Sequence, residues 1–141
     1  MKIKVLLIAS LLPAWGCAWT QSSTATVNPM VNEEPLDDAA LQSIFSDVFV
    51  TADPPVPAGA IVSHPRGEIF LSNGVYLRQN GRTRSEGSFR IRNSLICVQM
   101  PSLSERCRKV LRGPGLLYRF SDPADGSSGL LFVNPLASYR S

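Results

Sequence analysis

The chain has 141 residues, of which 44% are hydrophobic and 18% are charged, and its formal net charge is +3. This length suits one small domain, and the composition excludes a highly charged disordered chain. Eleven prolines and ten glycines favour short elements joined by turns.

The first sixteen residues have the pattern of a bacterial secretory signal. Lys2 and Lys4 precede the run Val5–Leu12, in which only Ser10 is polar, and a charged start followed by an apolar run is typical of such signals. The run is too short for a transmembrane helix, which needs about 20 residues. We therefore predict a signal peptide over residues 1–16 and an exported protein.

Cysteine counting favours a lipid anchor at Cys17. The chain has three cysteines, so an exported form that pairs Cys97 with Cys107 leaves one thiol to explain. Gly16 and Cys17 resemble the cleavage site of bacterial lipoproteins, in which the cysteine is diacylated and becomes the new N-terminus. Ordinary cleavage after the small-x-small site 14–16 is the alternative, and it would leave a soluble periplasmic or secreted protein.

The organisation that follows is a tether and one domain. Ala18 after the cysteine resembles lipoproteins that are passed to the outer membrane, so we expect a periplasm-facing anchor there rather than in the inner membrane. The small, polar and aperiodic run Thr20–Thr26 predicts a flexible tether over residues 17–34. A single β-rich domain is expected over 35–136, followed by a C-terminal tail over 137–141.

Charge is distributed unevenly along the chain. Residues 18–53 contain six acids and no lysine or arginine, whereas residues 64–120 contain eleven basic residues against three acids, a local balance of +8. Either the acidic segment covers the basic body, or an arginine face stays open to an anionic lipid, glycan or protein surface, since the guanidinium fork suits phosphate and carboxylate. An export signal argues against a nucleic-acid partner.

One amphipathic helix is predicted, over Leu36–Phe49. Leu41, Ile44, Phe45 and Val48 follow the spacing i, i+3, i+4 and i+7, which forms a single apolar stripe. Such a stripe needs a surface to cover, and only the strands further along the chain can provide one.

After residue 59 the hydrophobic period changes to two, which is typical of strands. Asn73-Gly74 and Asn80-Gly81 predict tight turns. The predicted strands are Ala60–Ser63, Glu68–Leu71, Val75–Gln79, Phe89–Arg92, Leu95–Val98, Cys107–Leu111, Gly115–Phe120 and Leu130–Val133. The fold class is therefore mainly β (α+β): an antiparallel meander or half-barrel of about seven strands, with the N-terminal helix packed on it.

Cys97 and Cys107 fall on neighbouring predicted strands, joined by the connection Pro101–Ser104. A cross-strand disulfide there suits a small envelope domain. The alternative of a redox-active pair lacks the Cys-x-x-Cys spacing and a helix N-terminus to lower a thiol pKa.

An ordered set of residues between positions 70 and 120 resembles a known pattern. Its members are Tyr76, Asn80-Gly81, Gly87, Phe89, Ile91, Cys97-Val98, Cys107, Val110 and Tyr118. They resemble the core of a loose group of small bacterial envelope lipoproteins with a lipocalin-like half-barrel and a Cys…Cys hairpin. The chain departs from that group at Phe89, where tryptophan is commoner, and in the helix before the sheet. The resemblance implies the fold and no catalytic residues, since the group has none assigned.

No catalytic or metal site is predicted. His64 is the only histidine and has no partner for a triad or a metal site. We interpret Glu68, Glu86 and Glu105 as solvated residues at strand ends or turns. The sequence therefore predicts a non-enzymatic protein with no cofactor.

The predicted function is that of an envelope lipoprotein held at the membrane by its lipid. An arginine-rich sheet face would bind an anionic lipid or glycan through Arg78, Arg82, Arg84, Arg90 and Arg92. The alternatives are a lipocalin-like carrier of a small apolar ligand between helix and sheet, and an inhibitor of a foreign hydrolase.

Overall fold

The structure is a computed structural model that describes residues 32–55, 57, 60 and 64–139. The predicted signal peptide, Cys17, most of the predicted tether and residues 61–63 of the first predicted strand lie outside the described residues. None of the described helices has the length and hydropathy needed to cross a membrane.

The described elements are nine strands, one α-helix and one short 3₁₀ helix. In chain order they are β1 (Glu34–Pro35), α1 (Asp38–Ile44), β2 (Val48–Thr51), β3 (Arg66–Phe70), β4 (Val75–Asn80), β5 (Thr83–Arg92), β6 (Leu95–Gln99), β7 (Arg106–Arg112), β8 (Leu117–Ser121), β9 (Ser128–Pro135) and the 3₁₀ helix Leu136–Ser138.

Strands β2 to β9 form a closed, eight-stranded, up-and-down antiparallel barrel. Each strand pairs with the next one along the chain, and β9 pairs back onto β2 with Val50 opposite Val133. The short β1 lies beside the last residues of β7, with Glu34 opposite Arg112. The predicted mainly β meander with one N-terminal helix is confirmed, and its closure leaves the barrel strands without a free edge.

The predicted helix was too long at its C-terminal end. It ends at Ile44, and Val48 and Phe49 belong to β2. The run Val48–Thr51 is rich in β-branched and aromatic residues, which favour strands, and pairing with both β3 and β9 closes the barrel. Asp47, with φ of 56°, lies between the helix and the strand. The apolar stripe predicted too long a helix because Val48, although it lies on a strand, is buried in the same core as the helix.

Helix α1 closes one end of the barrel. Leu41 and Phe45 are fully buried, and the Phe45 ring meets the rings of Phe70 and Phe120 edge-on at centroid distances of 5.1 and 5.9 Å. Edge-to-face contacts of this kind are favourable arrangements of aromatic rings. The α1 end of the barrel is therefore filled with aromatic and aliphatic side chains.

The predicted Asn-Gly turns lie between strands as expected. Gly74 precedes β4 and Gly81 follows it, with φ of 84° and 63°, in the left-handed region that glycine adopts without steric cost. Gly87, inside β5, is required for another reason. A Cβ added there would lie 2.4 Å from the carbonyl oxygen of Gln99 and 2.8 Å from Sδ of Met100, so β5 and β6 could not approach as they do.

The two body cysteines form the predicted disulfide. Cys97 on β6 lies directly opposite Cys107 on β7, and their Sγ atoms are 2.08 Å apart. The bridge therefore ties together the β6–β7 hairpin at a position where Cys97 is fully buried.

We expect reduction of this disulfide to lower the free energy of unfolding by about 2–3 kcal/mol, because the bridge closes a short loop in the unfolded chain. Urea unfolding with and without reductant measures the difference. The double variant Cys97→Ala/Cys107→Ala should be equally unstable in both conditions. Alkylation of either cysteine in the native, unreduced protein would contradict the assignment.

Candidate functional site

The barrel is open at the end opposite α1. Because the strands alternate in direction, the β2–β3, β4–β5, β6–β7 and β8–β9 connections all lie at this end. They surround a cavity of about 840 Å³, which we call the cup. Its volume falls within the range of small-molecule binding sites, roughly 300–1,000 Å³.

The floor of the cup is a hydrogen-bonded cluster of Glu68, Tyr76 and Arg108, the cross-barrel cluster. Arg108 Nη1 and Nη2 donate to Glu68 Oε2 and Oε1, each at 2.9 Å, and Tyr76 OH donates to Oε1 at 2.5 Å. Glu68 lies on β3 and Arg108 on β7, which are four strands apart in a ring of eight. The ion pair therefore spans the full width of the barrel.

Aromatic rings support this cluster from the core. The Arg108 guanidinium lies 5.0 Å from the centroid of the Phe120 ring, a distance at which cation–π attraction operates. The Tyr76 ring contacts Phe70 edge-on at 5.2 Å. The cross-barrel cluster consequently separates the aromatic core above α1 from the solvent-accessible cup.

The environment of Tyr76 keeps its phenol protonated. Burial is the main cause that raises the pKa of Tyr76 far above its usual value, and the charge and hydrogen bond of Glu68 raise it further. The positive charges of Arg108 and Arg78 oppose this shift only in part. A protonated Tyr76 is therefore a permanent hydrogen-bond donor to Glu68.

Two arginines of the cup have no counter-ion among the described residues. Arg78 and Arg66 share the inward face of β4 and β3 with the cluster, since Arg78 is the register partner of Glu68 and both line the cavity. Neither guanidinium forms an ion pair or hydrogen bond within the described part of the chain. Both oxygens of Glu68 are occupied by Arg108 and Tyr76, which leaves Arg78 unneutralised.

A second ion pair borders the cup on β7 and the β8–β9 loop. Arg106 Nη2 lies 2.7 Å from Asp122 Oδ2 and 3.6 Å from Asp125 Oδ2. The hydrogen bond from Arg106 is the main cause that lowers the pKa of Asp122. Arg106 is thus matched by two acids, and the residues that line the cavity, with Asp125 counted, comprise four guanidiniums and three carboxylates, a balance of +1.

The walls of the cup alternate in polarity. The charged side chains lie on β3 and β4 and, across the barrel, on β7 and in the β8–β9 loop. The other two walls are apolar: Val98 of β6 and Met100, directly after that strand, form one, while Val50 of β2 and Leu131 of β9 form the other. The arrangement offers facing ionic walls and facing apolar walls to one occupant, which suits a molecule with an acidic group and an apolar part.

The five arginines predicted to bind anions do not share one face. Only Arg78 lines the cup. Arg82 Nε donates to His64 Nε2 at 2.7 Å, and Arg84 Nε donates to Gln79 Oε1 at 2.8 Å. Both of these arginines are exposed near the mouth.

Arg90 and Arg92 lie on the outer wall, where Glu105 bridges them. Arg90 Nη2 is 2.8 Å from Glu105 Oε2, and Arg92 binds Oε1. The hydrogen bond from Arg90 is the main cause that lowers the pKa of Glu105. The interpretation of Glu68 and Glu105 as merely solvated residues was wrong, because each carboxylate binds two side-chain donors or more.

The acidic N-terminal segment neutralises little of the basic body. Asp37, Asp38 and Asp47 accept hydrogen bonds from backbone N–H groups. In the described part of the segment, Glu33 alone pairs with an arginine, Arg119, at 2.5 Å. The acids therefore act mainly as caps of the helix and of turns, and the arginines of the cup keep their charge.

Sequence reasoning missed Arg66, Arg106 and Arg108 as site residues. Their signal was strand alternation: Arg108 and Arg106 lie two and four residues before the buried Val110, and Arg66 lies four residues before the buried Phe70. Residues two apart on a strand share a face, so these arginines had to point into the barrel.

Among the described residues, one group has ligand atoms close enough to share a metal ion: Cys97, Glu105 and Cys107. Both sulfurs are consumed by the disulfide, so this group is not a metal site in the oxidised protein. Comparisons of the chain with protein-family models, curated proteins and solved structures found no match. The resemblance to small envelope lipoproteins stays a prediction.

We expect Tyr76→Phe to lower the free energy of unfolding by about 1.5–3 kcal/mol near pH 8, since it removes a hydrogen bond to a charged group. Folding raises the pKa of Tyr76, so the protonated side chain contributes fully to the free energy of unfolding below the ordinary tyrosine pKa, about 10. This contribution declines as pH rises above that value. Between pH 8 and 11 the wild type should lose about 1 kcal/mol more than Tyr76→Phe.

Urea unfolding at the two pH values measures both effects. Tyr118→Phe is the matched control, because Tyr118 is buried in the same barrel and forms no described hydrogen bond through its hydroxyl. It should keep the alkaline loss of the wild type. An equal alkaline loss in wild type and Tyr76→Phe would refute the role of the cross-barrel cluster.

Proposed function

We propose that the protein is a non-catalytic binding protein of the bacterial cell envelope and that its cup takes a small organic anion. The observation that carries the proposal is the pair of unneutralised guanidiniums, Arg66 and Arg78, in a cavity of about 840 Å³ with apolar facing walls. An anion-binding protein and a small-ligand carrier, two separate expectations from the sequence, are combined in one site.

Arg78 is favoured over the outer arginines by what each guanidinium already binds. Arg90 and Arg92 share the carboxylate of Glu105, so an incoming anion would have to compete with a fixed counter-charge. Arg78 binds no carboxylate within the described residues, and partial enclosure strengthens its attraction for an anion relative to open water. The cup is therefore the better anion site.

Binding is favoured over catalysis by the engagement of the acidic groups of the cup. The Glu68 carboxylate holds three donor contacts from Arg108 and Tyr76, and Asp122 holds Arg106. Carboxylates engaged in this way are poor general bases, because their oxygens already accept hydrogen bonds from fixed donors.

Export and lipid anchoring are part of the proposal. They are supported by the signal pattern in residues 1–16, by the odd cysteine Cys17, and by the disulfide between Cys97 and Cys107, since such bonds persist in oxidising compartments.

Intact mass spectrometry of the protein from a bacterial envelope tests this part. We expect loss of residues 1–16 and acyl chains on Cys17, because both the cleavage site and the spare thiol point there. A cleaved chain without acyl groups would replace the anchor with a soluble periplasmic form. Retention of Met1 would overturn export altogether.

A matched pair of fluorescent probes tests the binding site. Anilinonaphthalene sulfonate and the neutral N-phenylnaphthylamine have the same ring system and differ by one sulfonate. We expect the sulfonate to bind the wild type more tightly, with an affinity that falls as salt rises. Arg78→Gln should weaken sulfonate binding about tenfold, the value of a charge-assisted hydrogen bond, and leave the neutral probe unchanged.

Arg84→Gln is the matched control, because Arg84 is on the next strand but points outward. It should leave the binding of both probes unchanged. Equal affinity for both probes in all three proteins would instead indicate an apolar carrier. Absence of binding to either probe, or sulfonate binding that ignores Arg78→Gln, would refute the proposed site.

A further inference from the structure

We propose that Glu68 restricts the cup to ligands with a single negative charge, so that the ligands are amphipathic monoacids. This inference rests on the proposed function, binding of an organic anion in the cup, and it names both the ligand class and the residue that selects it.

The first step is the charge balance at the binding position. Arg108 is neutralised by Glu68, and Arg106 is matched by Asp122 and Asp125. Arg66 and Arg78 remain, and the charges that line the cavity sum to +1 when Asp125, the second partner of Arg106, is counted with them. One negative group on a ligand completes this balance, whereas a second would make the site net negative.

The second step is the position of Glu68 relative to the anion. Glu68 and Arg78 are direct register partners on neighbouring strands, and side chains in such pairs start about 5 Å apart. An anion held by Arg78 therefore lies close to the Glu68 carboxylate. Attraction to the arginines outweighs this repulsion for one charge, but each further negative charge meets the same repulsion and makes the lining charges, with Asp125 counted, net negative.

The third step is the rigidity of that negative charge. Glu68 is held by hydrogen bonds from β4 and from β7, and only about a fifth of its side chain is exposed. It cannot swing away from an incoming anion without breaking contacts on two strands. A fixed like charge is a specificity element, since it disfavours the wrong ligand more than the right one.

The apolar walls define the rest of the ligand. Val98 of β6 and Met100, directly after β6, face Val50 of β2 across the cup, and Leu131 extends the second wall. A hydrocarbon chain or ring between these walls would be removed from water while its acidic group stays at the wall of β3 and β4. The ligand class is therefore an organic molecule with one acidic group and an apolar body.

Competition between two alkyl esters with the same chain tests the selection. Decyl sulfate carries one negative charge, whereas decyl phosphate at pH 8 carries nearly two, because the second pKa of a phosphate monoester is about 6. Each ester is titrated against protein-bound anilinonaphthalene sulfonate at concentrations below the critical micelle concentration of the ester. We expect the sulfate to displace the probe from the wild type at a concentration about tenfold lower.

Glu68→Gln should abolish or invert this preference, because it removes the negative charge that neutralises Arg108 and so raises the net charge of the cup by one. The amide oxygen of glutamine can still accept the hydrogen bond from Tyr76. Glu86→Gln is the matched control: Glu86 is exposed on β5 and points outward, so its loss should leave the preference unchanged. An unchanged preference in Glu68→Gln would overturn the assignment of selection to Glu68.

A second measurement uses the wild type alone, so it tests the selection for one negative charge even if Glu68→Gln does not fold. At pH 5 decyl phosphate carries close to one charge, so we expect its displacing concentration to approach that of the sulfate. Equal competition by the two esters at pH 8, with the probe bound, would refute monoacid selection and leave the anion site standing. Failure of the probe to bind would refute the proposed function itself.

Discussion

The ion pair between Arg108 and Glu68 divides the interior of this barrel into a filled part and an open part. It joins two strands that face each other across the ring, and Tyr76 and Phe120 support it from the remaining sides. A partly buried ion pair is tolerated only when its hydrogen-bonding groups are satisfied, and here both carboxylate oxygens are. On one side of the pair the lumen is filled by aromatic rings and by α1, and on the other it is open to solvent.

The fold and the cup depend on the same strand register. A shift of one residue would move every inward side chain of a strand to the outer wall. The register that buries Phe70 and Tyr76 also places Glu68 and Arg78 inside the barrel. Turns with left-handed residues at Gly74 and Gly81 hold the hairpins on either side of β4. The charges of the cup are therefore fixed by the packing of the core.

The strands and the disulfide could be predicted from local patterns, whereas closure and the cup could not. Alternation and Asn-Gly turns are short-range signals. The ends of α1 and β2 were misjudged because Val48 suits a helical stripe and an inward strand position equally. The partnership of Glu68 with Arg108 joins positions 40 residues apart, and its recognition required knowing that β3 and β7 face each other across a closed ring.

The N-terminal end of the described chain meets the barrel at the end that α1 fills. Glu34 pairs with Arg112 at the last position of β7, beside the plugged end. The two described residues that precede Glu34, Asn32 and Glu33, consequently lie on the side of the barrel away from the mouth. A label attached to Asn32 would therefore lie beside the end that α1 fills and would leave the loops around the mouth free.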